Sequence, residues 1–443
     1  MLQNWLFKKV DNGSLIIFRI FFGILISLES FGAILTGWVR RTLIEPIFTF
    51  SFIGFEWLQP LPGNGMYFYF VIMGILGIFI AIGFKYRWSI ILFTILWSAV
   101  YLMQKTAYNN HYYLLILISI LMCFMPANSY ASVDSRLKPS IRSNSMPAYI
   151  KWIIIIQLFI VYTYAALAKL YGDWLDLSII EILLRGKASY PLIGEFLQHA
   201  WVHTIIGAMG ILFDLLIIPA LLWKPTRNWA FGFAVFFHLF NSIVFQIGIF
   251  PYLALAFIVF FYPPEVIKRR FLKKKELYIG NEIQKPPYHN WLLLGCSLYF
   301  IIQLVLPVRH FFIEDDVLWT EEGHRMSWRM MLRGRSGIIQ FVVVNKDTGE
   351  KTIVPPNLYL TPTQLEKVSS YPDFIWQFAQ YLKKEYAARG QHISVFSKSK
   401  VSINGRPLAS FIDPSVDLAA EEWNHLRHHK WILPSPLKTK EER

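Results

Sequence analysis

The sequence predicts an α-helical integral membrane bundle of about nine transmembrane helices, followed by a small C-terminal α+β extracytoplasmic domain. Three observations predict it. Of 443 residues, 55% are hydrophobic and only 16% charged, a balance that soluble domains, with about 25% charged residues, do not reach. The charges are also unevenly spread: residues 1–309 hold 25 Lys/Arg and 13 Asp/Glu, whereas residues 310–443 hold 18 and 16. The formal charge of +14 therefore divides as +12 and +2. The basic excess sits in the apolar block, where it reads as membrane topology rather than as a nucleic-acid face. A purely soluble protein, a disordered chain and a disulfide-stapled secreted domain are excluded, and both cysteines, Cys123 and Cys296, lie inside apolar runs. The expected units are a transmembrane domain over 1–309, an extracytoplasmic domain over 310–435 and a disordered tail over 436–443.

A bilayer core of about 30 Å takes roughly 20 apolar residues as helix, because lipid leaves each backbone group to be satisfied within its own segment. The runs that answer this description are 14–37, 66–84, 88–104, 112–127, 148–169, 203–223, 228–247, 250–263 and 291–309, with 250–263 the shortest. Lys8 and Lys9 precede the first run, but it is too long and aromatic for a cleaved signal peptide and is expected to stay as the first span. Residues 44–58 are apolar too, yet Glu45, Pro46 and Glu56 interrupt them, so a re-entrant or interfacial piece is expected there. With a cytoplasmic N-terminus, the inside segments carry 17 Lys/Arg and the outside segments 7. Nine spans then put everything after Arg309 in a periplasmic or lumenal compartment.

In the tail, Ile338–Val344 and Lys351–Val354 flank a turn at 346–350 and read as a hairpin. Pro372 opens a helix with Ile375, Phe378, Ala379 and Leu382 on one face, ending near Gly390. Residues 392–401 and 404–412 read as short strands joined through Asn404-Gly405, and Lys438–Arg443 as disordered. No internal repeat, phosphate loop, dinucleotide fingerprint or zinc spacing occurs.

Polar side chains inside spans cost several kcal/mol each, roughly 2.5–3.5 on insertion scales, so each needs a partner or a task. Arg19, Glu29, Lys169, Asp214, His238 and Asn241 are of this kind, with Asn110 and His111 at the outer mouth of the fourth span. On the topology above, Asn110, His111, Lys169 and Asn241 fall toward the outer leaflet and can face one cavity. Lys169 follows a run of small residues, Ala165-Ala166-Leu167-Ala168. A lysine beside apolar walls loses hydration of its ammonium form, which lowers its pKa and frees an amine base, although a lysine at a helix end also snorkels as a simple anchor. His238 and Asn241 share a helix face, fit to orient a ligand or to glue helices together. Asp214 is expected to neutralise a cation such as Arg19, and Asn110-His111 to cap a helix. Beyond the last span, Trp319 to Met330, with His324 and Trp328, reads either as an aromatic belt with exposed charges or as a lid over a cavity. His425, His428 and His429 read as a solvated surface cluster, and no metal site is expected.

Four separated motifs carry a resemblance. Tyr108-Asn109-Asn110-His111-Tyr112-Tyr113, Ala168-Lys169-Leu170-Tyr171-Gly172-Asp173-Trp174, Phe237-His238-Leu239-Phe240-Asn241-Ser242, and Leu306-Pro307-Val308-Arg309-His310 with Ser327-Trp328-Arg329-Met330-Met331 occur in order over roughly residues 10–345. They resemble the vitamin K-dependent γ-glutamyl carboxylase family, and the length and lack of a disulfide framework resemble its shorter, bacterial-type HTTM-domain homologues. The resemblance implies an enzyme that oxygenates reduced vitamin K (a naphthoquinol) with O2 to its epoxide. The alkoxide formed on the way takes a γ-proton from a glutamyl residue of a protein or peptide substrate, and CO2 adds there. Lys169 matches the family's base and His111 its carboxylation histidine. Asn110, His238, Asn241, His324 and Trp328 would position quinone and glutamate. Competing expectations are a quinol epoxidase without carboxylation, and a non-enzymatic quinone- or lipid-binding protein or transporter, though transport favours internal repeats around a midplane site.

Overall fold

The structure, a computed structural model, describes residues 2–437. A short helix α1 (Leu2–Leu6) and strand β1 (Lys9–Asp11) lead into the first long helix, α2 (Gly13–Leu35). It packs against α3 (Gly65–Ile82) at backbone distance: a Cβ on Gly23 would stand 2.3 Å from the Ala81 nitrogen, and one on Gly77 2.7 Å from the Ser27 nitrogen. Small residues facing each other are how helices associate where lipid removes the hydrophobic drive. There follow α4 (Tyr86–Met103), α5 (Asn110–Phe124), the short α6 (Val133–Leu137), strand β2 (Ser145–Pro147) and α7 (Ala148–Leu167). Two short helices, α8 (Gly172–Leu175) and α9 (Ser178–Arg185), cross the outer end before α10 (Ala200–Leu222) and α11 (Arg227–Val244). The membrane block closes with α12 (Phe250–Phe257), α13 (Pro264–Phe271) and α14 (His289–Val305), and α15 (Val317–Thr320) lies just beyond.

Among the described residues, six helices are long and apolar enough to cross a membrane: α2, α3, α4, α7, α10 and His289–Phe312. Phe250–Phe260 and Pro264–Phe271 make a seventh if counted as one span, but they meet at a 120° bend. By this measure the count is six to seven, against about nine expected, for two physical reasons. Asn110–Phe124 is apolar but only 15 residues long, and α11 mixes Arg227, Asn228, His238 and Asn241 into its apolar run.

Strand β1 pairs antiparallel with β2, and Lys8 bridges Ile283. Three segments rich in cations are thereby gathered at one end of the bundle. The C-terminal domain sits at the other. Its antiparallel sheet has the order β4-β3-β5-β6, with β3 (Arg335–Asn345), β4 (Lys351–Val354), β5 (Ile393–Ile403) and β6 (Ala409–Ser410). Helices α16 (Pro362–Val368) and α17 (Pro372–Ala387) complete it. The hairpin is present as read, with Phe341 opposite Val354, and Ile375, Phe378, Ala379 and Leu382 are all fully buried. Strand β6 is shorter than expected because Pro407 cannot donate to the ladder.

The segment expected to be re-entrant or interfacial packs against the C-terminal domain and joins the two units. Phe48 stacks on Tyr381 at 4.0 Å between centroids, Phe50 packs on Phe374 at 4.9 Å, and Gln364 donates to the Phe48 carbonyl. Of the expected tail, Leu437 packs against the C-terminal core, and 438–443 lie outside the described residues.

Candidate functional site

Lys169 lies just beyond the end of α7, after its C-cap Ala168. Its Nζ donates to the Ala165 carbonyl at 3.1 Å and to Asp214 Oδ2 at 2.5 Å. Both side chains are under 10% exposed. The ammonium also lies 5.3 Å from the Trp174 ring, a cation–π arrangement. Gly210, one turn before Asp214 on α10, makes this possible, since a Cβ there would come within 2.8 Å of the Trp174 ring. The Trp174 indole N–H is fixed on the Gly207 carbonyl at 3.0 Å. The partner expected for Asp214 is thus corrected. Arg19 is held by the carbonyls of Ala127, Tyr130 and Ala131, which engage its two terminal nitrogens without a carboxylate.

Lys169 and Asp214 stand on the wall of an elongated apolar cavity of about 470 Å³ between α10 and α11. Phe233, Phe236, Phe237, Phe240 and His111 are among the residues that line it. The lip, with Phe196, Trp201, Ile205 and Phe236, is roughly half exposed and faces where lipid would lie. His111 has its ring stacked on Phe250 at 4.3 Å and 21°. The cap of α5 is Asn109, whose side chain accepts from the Tyr112 N–H, not the Asn110-His111 pair.

A second cavity of about 290 Å³ adjoins the first and shares His111, Ile247, Met330 and Met331 with it. It is a chamber of cations: Lys105, Arg325, Arg329, Arg333 and Lys367, with His324 and Asn110 beside them. Asp373 ties Lys105 to Arg325, and Glu321 holds Arg333. Burial lowers Lys105 to about 8, against the pull of Asp373. Burial, with Arg333, Arg329 and Arg325 close by, keeps the His324 imidazole neutral, far below its ordinary value. Among the described residues, neither His324 ring nitrogen has a hydrogen-bond partner. An unpaired buried polar group of this kind costs about 1–3 kcal/mol.

The residues expected to form one site are therefore divided. Lys169, His111 and Asn241 line the apolar cavity; His111, Asn110 and His324 line the cationic chamber. His238 lies behind the wall, its Nε2 3.2 Å from the Tyr162 hydroxyl and its ring edge on Phe250. Trp328 lines neither: it is 1% exposed and packs on Tyr113 at 5.1 Å. Trp319 is equally buried, in the C-terminal core, so the aromatic-belt reading of this segment is corrected. The surface-cluster reading holds for His425, which is exposed, and is corrected for His428 and His429. His428 and His429 both donate through Nδ1 to Glu322, at 2.7 and 2.6 Å, and His429 is buried. The residue missed as a site partner was Asp214; its signal was an acid in an apolar helix following a lysine-terminated one.

The HTTM domain matches residues 7–265, and the lumenal domain of vitamin K-dependent gamma-carboxylase matches residues 288–438. The chain belongs to the HTTM-domain, vitamin K-dependent gamma-carboxylase family. The match extends the resemblance through the whole C-terminal domain, beyond residue 345. No solved structure matches the chain. Membership identifies a carboxylase-like membrane protein with a lumenal C-terminal domain, in a family that uses vitamin K hydroquinone, O2 and CO2 on glutamate-containing substrates. The fold explains why the gamma-carboxylase motifs lie so far apart in sequence. The Met326 N–H donates to the Tyr108 hydroxyl (2.7 Å), which donates to Asn110 Oδ1 (2.8 Å), while Asn110 Nδ2 donates to the Arg329 carbonyl (3.2 Å). Tyr171 donates to the Leu332 carbonyl, and Asp173 accepts from Asn404 and from both arms of Arg406 in the C-terminal domain.

Proposed function

We propose that this protein is a vitamin K-type γ-carboxylase in which the apolar cavity takes a reduced naphthoquinol and the cationic chamber takes the glutamyl carboxylate. The observation that carries the reading is the shared wall: one imidazole, His111, borders both an aromatic cavity holding a Lys–Asp pair and a chamber of five cations. The cavity fits such a quinol, with phenylalanines for ring and isoprenoid carbons, a lip open to the lipid side, and, besides the indoles of Trp174 and Trp201, few polar side chains: Lys169, Asp214, Asn241 and His111. Bound there, the quinol and O2 supply the strong base that takes the glutamyl γ-proton, and CO2 adds at that carbon.

The chain's own part begins with the proton. At rest the Lys169–Asp214 ion pair holds one proton beyond the neutral amine and carboxylate. Taking a second proton from the quinol leaves an ammonium beside a carboxylic acid, both on Nζ and Oδ2. The aromatic wall excludes water that would quench a strong base. Asn241 positions the quinol. In the chamber, Arg329, Arg333 and Lys367 hold carboxylate oxygens, and His111 stabilises charge developing between the two cavities. Asn110 and Trp328 act by holding the exit segment in place, and His238 by backing Phe250.

We read nine crossing segments with a cytoplasmic N-terminus and an extracytoplasmic C-terminal domain. Asn110–Phe124 and Phe250–Phe260 are short for a bilayer, but they are packed inside the bundle, where protein rather than lipid surrounds them. The test of function is purified, reconstituted protein given reduced vitamin K or menaquinol, labelled CO2 and a glutamyl peptide. Epoxide and label both appear in the wild type. Epoxide without label would indicate a quinol epoxidase, and quinone binding without turnover a carrier. Full activity in Lys169→Ala would remove the lysine from its role.

A further inference from the structure

At the opposite end of the molecule, two grooves that the carboxylase reading does not use run into each other. The first, of about 660 Å³, lies along the lipid side of α2 and α3, lined by Ile20, Ile24, Leu28, Ile78 and Ile82. The second, of about 680 Å³, lies between the loop around α6 and the end of α13, and carries Arg136, Arg142, Arg270, Lys273 and Lys274. Ala131 and Arg136 belong to both. All five cations are exposed.

The acids nearby do not neutralise this groove. Asp134 accepts from the backbone N–H groups of Lys85 and Tyr86 and from Asn128. Asp11 holds Lys275 at 2.5 Å and the N–H groups of Gly13 and Tyr278. Glu265 and Glu276 line neither groove, and among the described residues no acid does. Arg142 is set against the Tyr130 ring at 5.3 Å. Helix α13 turns 120° away from the preceding segment and presents Lys268, Arg269 and Arg270 in its last turn, as a basic helix lying in the plane of a membrane surface does.

We propose that the joined grooves bind one anionic phospholipid of the cytoplasmic leaflet, its headgroup phosphate among Arg136, Arg142 and Arg270 and an acyl chain along Ile24 and Ile78. A free phosphate would fill the basic groove alone and leave the apolar one without an occupant; a zwitterionic lipid would fit the apolar groove but add its own cation to five others. Each cation at such a surface favours an anionic lipid, so removing two lowers the preference by about tenfold or more.

The test is lipid titration of the purified full-length protein in detergent, read by native mass spectrometry, with dioleoyl phosphatidylglycerol and dioleoyl phosphatidylcholine as probes. One phosphatidylglycerol per chain is expected, preferred by about tenfold. Arg136→Gln/Arg270→Gln is expected to abolish the preference, whereas Lys224→Gln/Lys285→Gln, which removes two exposed cations of the same end outside the grooves, keeps it. Ile24→Trp, at an already exposed position, is expected to weaken retention of the long-chain lipid without touching charge. Equal binding of the two lipids, equal loss in the control pair, or complete displacement by millimolar inorganic phosphate would each overturn the proposal.

Discussion

A primary amine 2.5 Å from a carboxylate is not a solitary base, and the pairing changes what substitution should do. Removing one partner of a buried pair leaves the other charge unpaired, at a cost of about 3–5 kcal/mol, whereas replacing both by apolar residues of similar size is often neutral. Lys169→Ala and Asp214→Asn should therefore lower both the thermal midpoint and epoxide formation, the latter by roughly 10²-fold or more, the scale of a lost acid–base group. Lys169→Met/Asp214→Leu should regain the midpoint and stay inactive. Activity in that double variant would show the pair to be structural. Lys105 offers a pH test. Its pKa, lowered to about 8 from an unfolded value near 10.4, means that it loses its proton in the folded protein first. Raising pH through 8 should weaken glutamyl-peptide binding as the chamber loses a charge. The same group makes folding more favourable between 8 and 10, because the unfolded chain then binds more protons. Lys105→Arg, which does not titrate, should flatten the binding profile. Lys169 and His111 were legible as residues because ionisable groups in apolar runs stand out. Which acid met which cation was not, since hydropathy gives no helix neighbours, and Arg19 turned out to need only carbonyls.

Among the elements, the exit segment behaves least like its sequence. Asp315, Glu321, Met326, Trp328 and Met331 all have positive φ, between 57° and 69°, a region that costs non-glycine residues on the order of 1 kcal/mol each. Such strain persists where surroundings over-determine it. Here Arg309 grips the carbonyls of Leu306 and Arg325 and the Ser327 hydroxyl, while Tyr108 and Asn110 fix Met326 and Arg329. The segment has no period, so sequence could offer only a belt or a lid, whereas the hairpin and α17 were readable from turn residues and a 3.6-residue pattern. Gly323 has φ +76°, and a Cβ there would meet the His310 Cβ at 2.8 Å. Gly323→Ala should cost about 1–2 kcal/mol of stability by the αL penalty and the crowding. It should also raise the KM for glutamyl peptide more than the KM for quinol, because His324 and Arg325 follow directly. Equal effects on both would place the segment's role in folding alone.

At the scale of the molecule, the bundle brings together groups that start four different helices apart and leaves one imidazole between two cavities of opposite character. The end opposite the C-terminal domain is closed by β1, β2 and the Lys8–Ile283 bridge; on the orientation proposed here an impermeant maleimide should label Gln391→Cys from outside and Lys138→Cys only after permeabilisation. Both native cysteines are in the bundle and partly buried. The division between cavities leads to the sharper expectation. A residue confined to the quinol side would, when lost, stop epoxide and carboxylation together, and one confined to the cationic side would weaken peptide binding alone. His111 borders both, has its ring stacked on Phe250, and leaves the quinol's proton to Lys169 and Asp214. His111→Ala should therefore uncouple the halves: epoxide continues within about tenfold of wild type, and CO2 incorporation falls by roughly 10²-fold, the loss of one preorganised stabilising group. A parallel fall in epoxide and label would mean that the two cavities work as one, and the shared wall would lose its meaning as a point of transfer.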